Sequence, residues 1–266
     1  MTSLYTRSGD TFTPTDCVTG PWDPAMSHAG PPAALLITAI ARAAPDMGIT
    51  RVTYEIPAPI PKVPMTIDLR ELRSGRKVRL LEAALLGPDG TGLMTARAWL
   101  IRRSEGLPTS DPHRLEFPPP DACAPLAFPM PGIGYMTAVE MRHIAGEPFR
   151  RGGAAAIWIK RTMPIVEGEP DDPYADCGMF GDLGNGIAAI EPMTELMGIN
   201  TDLTLYLARP PRTAWMALES KTISHGMGLG MTDSLVYDAS GFVGTANQSI
   251  FIDRRRASSE ITSASA

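Results

Sequence analysis

The chain has 266 residues, 44% hydrophobic and 20% charged, with a net charge of −5, so wholesale disorder and a basic nucleic-acid-binding face are both excluded. Proline is abundant at 26 residues, which disfavours a helical bundle and favours strands, turns and connecting segments. Three cysteines, Cys17, Cys123 and Cys177, without C-x-x-C spacing speak against a disulfide framework or a zinc site and for a reducing compartment.

No basic and apolar leader opens the chain. The longest run of small apolar residues, 33–44, contains Arg42 and is too short to cross a membrane, so a soluble, cytoplasmic protein is expected. That run is the first predicted helix. Pro31 and Pro32 suit its opening turn, Pro45 stops it, and its apolar faces all round mark a helix enclosed by protein. Four strands follow, at 51–56, 65–72, 78–86 and 93–101, joined by short turns such as Pro88-Asp89-Gly90. Residues 105–131, with Pro118-Pro119-Pro120 at their centre, can form neither a helix nor a central strand and read as a linker.

Beyond the linker the pattern returns. At an offset of 151, Gly75 falls on Gly226, Gly90 on Gly241 and Thr53 on Thr204, and strands are again predicted at 202–207, 216–223, 229–237 and 243–252. The second helix is expected to be capped by Asp172, to have Pro173 at its first position and to run towards Ile190. Its glycines 178, 181 and 184 recur every three residues, and since each costs a helix roughly 1 kcal/mol, they imply very close backbone packing. A buried helix wrapped by an antiparallel sheet, made twice, is a tandem (double) hotdog of the α+β class. The expected division is 1–104 for the first hotdog, 105–132 for the linker, 133–256 for the second hotdog and 257–266 for a disordered tail.

Several chemistries are missing. There is no G-x-S-x-G elbow, no Walker loop and no metal-ligand spacing among the four histidines, so neither a metal nor a cofactor is expected. Gly226-Met227-Gly228-Leu229-Gly230 precedes a strand rather than a helix and is read as a turn, with His225 exposed beside it. Polar candidates lie in the second half: Asp182 within the glycine-rich helix, Asn200 and Thr201 at the next strand, and Gln248 on the inward face of the last strand with Ala246 and Ile250. Their repeat partners Pro31, Ile49, Thr50 and Arg97 form no such set, so a single working site is expected.

These residues carry a resemblance. Trp22-Asp23-Pro24-Ala25-Met26-Ser27-His28-Ala29-Gly30-Pro31-Pro32 resembles the start of the first helix in the double-hotdog acyl-CoA thioesterase II-like family. Gly181-Asp182-Leu183-Gly184-Asn185-Gly186, Ile199-Asn200-Thr201-Asp202, Arg209-Pro210-Pro211 and Gln248-Ser249 follow in that family's order. The resemblance implies an acyl-CoA or related acyl thioester substrate and direct attack by a water held on Asp182, on Asn200 or Thr201, and on Gln248. At Asn200 this chain departs from the Thr of the family's enzymes. Gly30 is the expected backbone donor to the thioester oxygen, His28 a substrate contact or a surface residue, and Phe180 and Leu183 walls of an acyl groove between the helices. Two alternatives stand. One is a hotdog that binds acyl thioesters without turning them over. The other is an enoyl-CoA hydratase or dehydratase, disfavoured because no His follows Asp182 at close spacing. A homo-oligomer is left open.

Overall fold

The computed structural model of the chain describes residues 2–255. Arg256 and the expected tail, 257–266, lie outside the described residues. In chain order the elements are β1 (Tyr5–Ser8), β2 (Thr11–Pro14), β3 (Met26–Ser27), α1 (Gly30–Ala43), β4 (Met47–Glu55), β5 (Ile60–Pro61), β6 (Thr66–Arg73), β7 (Val78–Leu86) and β8 (Gly92–Arg102). After them come α2 (Gly134–Thr137), β9 (Val139–Glu147), β10 (Arg151–Arg161), α3 (Ala175–Gly181), α4 (Gly184–Ile187), β11 (Leu196–Asn200), β12 (Asp202–Leu207), β13 (Met216–Ser224), β14 (Leu229–Asp238) and β15 (Gly241–Arg254).

One antiparallel sheet of 11 strands organises the molecule, in the order β6-β7-β8-β4-β12-β15-β14-β13-β10-β9, with β11 also pairing β15. The two predicted meanders are its two wings, and β4 against β12 is the seam. At that seam Thr53 lies opposite Thr204, and their hydroxyls share a hydrogen bond of 3.1 Å. These two residues are each other's repeat partners, so a local twofold axis passes between them. The wings differ at their ends. The first ends at β6, its β1–β2 hairpin forming a separate two-stranded sheet, whereas β9 and β10 extend the second wing by a hairpin.

Both helices lie on one face of the sheet and touch each other. Glycine makes this contact close: a Cβ on Gly178 would stand 2.9 Å from the carbonyl oxygen of Ala33 in α1, and glycine also seats α3 on the sheet, where a Cβ on Gly181 would stand 2.7 Å from Leu205 Cδ2 of β12. The second helix departs from expectation. It starts at Ala175 rather than Pro173, because the Asp172 carboxylate and carbonyl take the amides of Tyr174 and Ala175 in a preceding turn. It also breaks at Asp182 and Leu183, so that α3 and α4 are two pieces. The proline-rich segment does more than connect. Pro118 accepts from Trp158 Nε1 at 2.9 Å, and Leu115 and Phe117 pack with Trp158 and Tyr237 on the opposite face of the sheet. Among the described residues no helix is long and apolar enough to cross a membrane.

Candidate active site

The break in the second helix is where the chemistry gathers. Asp182 follows the last residue of α3, and its backbone carbonyl accepts from Gln248 Nε2 at 3.2 Å. The other end of that amide, Gln248 Oε1, takes the N–H of Asn185 at 3.1 Å. Gln248 thus bridges the broken turn from β15, and its amide is spent on backbone rather than turned to a water. The inward face predicted for it holds: Gln248, Ala246 and Ile250 are all buried.

The Asp182 side chain is 4% exposed and both of its oxygens are engaged. Asn200 Nδ2 donates to Oδ1 at 2.7 Å, and His28 Nδ1 stands 2.9 Å from Oδ2. His28 is therefore no surface residue. Its ring stacks on Tyr135, with centroids 4.2 Å apart and planes 5° from parallel. Tyr135 is in turn fixed by donation from its hydroxyl to the Met179 carbonyl at 2.9 Å. Burial first, and then the charge of Asp182, hold the Tyr135 hydroxyl well above the usual tyrosine pKa, so it stays a donor. Tyr135 had no signal in the sequence beyond residue type, and Asn185 was visible only as a member of the glycine-rich motif, without a role. Their roles come from α2 and α4 being folded against strands distant in the chain.

Gly30 behaves differently from expectation. Its N–H points at His28 Nδ1 at 3.1 Å rather than into open space, and a Cβ here would lie 2.3 Å from the Met179 carbonyl oxygen. Nδ1 cannot accept from Gly30 and donate to Asp182 at once. When it carries a proton, that proton goes to the carboxylate and the Gly30 amide is freed.

A cavity of about 420 Å³ opens on this cluster. His28, Asp182, Asn185 and Asn200 supply its polar wall, while Trp22, Ile56, Phe128, Met136, Phe149 and Leu183 are among its apolar residues. It lies under the loops before α1 and after β4, not between the helices, which are in direct contact. Leu183 lines it as expected, but Phe180 does not: it is fully buried in the core. Thr201 reaches the rim only. It is exposed, and its hydroxyl turns to Asp202 rather than to Asp182. Arg255 is exposed, donates to the Met193 carbonyl at 3.1 Å and lies over Trp22. His225 is exposed in a turn, and β14 starts at Leu229 within the glycine run, as predicted.

The repeat partners explain why one site is built. Opposite Asn200 and Asp182 stand Ile49 and Pro31, and Tyr174 fills the space there, its hydroxyl accepting from the Ile49 amide at 3.2 Å.

Two family models match the chain, the acyl-CoA thioesterase N-terminal domain over residues 18–101 and the acyl-CoA thioesterase C-terminal domain over residues 120–252. Among solved structures, the tesB protein of Mycobacterium avium subs paratuberculosis is similar at 15% identity and a TM-score of 0.68, over 94% of this chain and 96% of that one. The acyl-CoA thioesterase II TesB2 of Mycobacterium marinum gives 15% and 0.64 over 91% and 98%. A conserved protein of unknown function with a hot dog fold from Alicyclobacillus acidocaldarius gives 17% and 0.72 over 95% and 96%. These likenesses show the hotdog fold. No curated protein matches the chain.

Proposed function

We propose, for a chain that belongs to the acyl-CoA thioesterase family and is a thioester hydrolase, that Asp182 is the base which activates water against an acyl-CoA bound in the 420 Å³ cavity. The observation that carries this is the buried Asp182 carboxylate, held at 2.7 and 2.9 Å by Asn200 and His28 on the wall of an otherwise apolar cavity. A fixed, water-poor setting of this kind positions a base without reorganisation during the reaction. Water adds to the thioester carbonyl as its proton passes to Asp182. Collapse of the tetrahedral adduct expels the thiolate, which takes that proton back, leaving a carboxylic acid and a thiol. Asn200 and His28 hold the carboxylate, and the Gly30 amide, at the N-terminus of α1, meets the developing oxyanion while the Nδ1 proton of His28 lies toward Asp182.

The same reading takes each wing of the sheet, 1–104 and 133–256, as one hotdog unit. The seam at Thr53 and Thr204 and the 151-residue offset support a tandem pair. Three unpaired cysteines support a reducing, cytoplasmic setting.

One observation favours a second reading. The expected objection to a hydratase was the lack of a histidine near Asp182 in sequence, yet His28 arrives from the other wing. The deciding experiment measures thiol release from acyl-CoA and hydration of enoyl-CoA side by side, for wild type and Asp182→Asn. Thiol release that falls by about 10²–10⁴-fold in Asp182→Asn, with acyl-CoA binding retained, is the expected result. Hydration without thiol release makes it a hydratase. Binding without either makes it a binding protein, and an unchanged rate in Asp182→Asn moves the base elsewhere.

A further inference from the structure

Phe149 is the one non-glycine residue among those described with a left-handed backbone, at φ 61°. A bulky side chain is strained there, and such outliers persist where the surroundings fix the side chain for a purpose. The hairpin between β9 and β10 shows that this chain has the alternative to hand. Gly146, Gly152 and Gly153 take φ 78°, 95° and 66° in the same hairpin, and only the fourth left-handed position carries an aromatic ring.

That ring is 2% exposed and stands between two spaces. It lines the 420 Å³ cavity that contains Asp182, and it lines a second cavity of about 330 Å³ with Pro129, Met130, Arg150 and Met193. Phe128 holds it edge-on at a centroid distance of 4.9 Å, and the position a Cβ would take on Gly186 is 3.6 Å from it. The turn itself is tied down by backbone bonds from Phe149, Gly152 and Gly153 to the carbonyls of Ile187, Ile190 and Ala189. Gly186 lies in α4, four residues beyond Asp182 and past the break in the helix. A rigid aromatic wall, braced by Phe128, thus lines the cavity that also holds the reacting carboxylate.

We propose that Phe149 is a specificity-determining residue that closes the acyl end of the cavity and limits the substrate to short and medium chains. The proposal rests on the thioesterase reading above. With the ring removed, the two cavities join at Phe149 and a longer tail has a way through.

The experiment compares wild type with Phe149→Gly, which tolerates the left-handed backbone, and Phe149→Met, which keeps bulk in a flexible chain and guards against a folding failure. Thiol release is measured for acyl-CoA from four to sixteen carbons, and the readout is the ratio of kcat/KM for long against short chains. A rise of about tenfold or more in that ratio in either folded variant is expected. An unchanged ratio, or an equal loss at every length, assigns the ring to packing alone and overturns the proposal. Binding of non-hydrolysable S-alkyl-CoA thioethers of the same lengths, followed by calorimetry, keeps this test separate from catalysis. If wild type hydrolyses nothing yet discriminates these probes by length, and the variants lose that discrimination, the wall stands while the thioesterase reading fails.

Discussion

Asn200 shows how much one side chain decides. Its amide bonds a carboxylate oxygen at 2.7 Å, and a hydrogen bond to a charged group contributes about 1.5–3 kcal/mol. Asn200→Ala should therefore lower kcat for thiol release by roughly 10- to 100-fold. Asn200→Thr, which restores a donor of shorter reach, should recover most of that loss. Equal rates for all three proteins would remove Asn200 from the site. Gln248 is tested by stability as well as rate, because it bridges backbone rather than substrate. Gln248→Ala strands the Asn185 N–H and the Asp182 carbonyl in a buried place, at a cost of about 1–3 kcal/mol. A melting temperature lowered by about 2–4 °C for each kcal/mol should accompany the loss of turnover. A normal melting curve with reduced turnover would return Gln248 to the role of a water ligand.

The broken helix is the element on which the site depends. Gly184 opens α4 directly under Gln248, where a Cβ would fall 2.7 Å from Ser234 Oγ and 2.9 Å from Gln248 Oε1. Alanine gains about 1 kcal/mol of helix propensity over glycine, but overpacking a buried contact costs about 1–3 kcal/mol, so the clash wins. Gly184→Ala should destabilise the protein and lower thiol release together, and a stabilised variant with full activity would contradict the close packing described here. The same contact explains why a glycine ridge that reads as poor helix material is used: two helices and a sheet meet along it.

At the scale of the molecule, the sheet is one body with a seam, and its polar anchors lie far from the chemistry. Arg209 forks onto Asp238 with two bonds of 2.8 Å, beside the start of β15. Burial works against the Asp238 charge, but Arg209, the Ser240 hydroxyl and the amides of Arg212 and Ser240 outweigh it and hold this carboxyl well below the usual range. A depressed folded value means that the unfolded chain binds the proton first. The stabilisation is therefore present above the unfolded value near 3.9 and is lost as pH falls through the folded one. Asp238→Asn should lower stability at neutral pH and flatten the acid limb below about pH 4, measured by urea unfolding across pH. A variant whose acid limb matches wild type would show that Asp238 is not a proton-linked anchor.

Sequence by itself determined what is local. Alternation and turn residues placed β7 at Val78–Leu86 and β12 at Asp202–Leu207 as predicted and the other strands of the two meanders to within a few residues, but left β9, β10 and β11 unread; proline bracketed α1, and the period of two put Gln248 on the inner face. Thr53 and Thr204, paired by the 151-residue offset, also meet in space, at the seam. Tertiary structure alone decided what is not local. It turned Phe180 into the core, set His28 from a distant segment against Asp182 with Tyr135 stacked behind it, gave both ends of the Gln248 amide to backbone and placed a strained Phe149 on the wall of the cavity. Periodicity reports which face of an element is apolar, but a helix as short as α3, apolar at every position except Asp176, has too few polar residues to report one. Which of its sides meets the cavity is fixed by the strands that close around it, through pairings the chain makes only once it is folded.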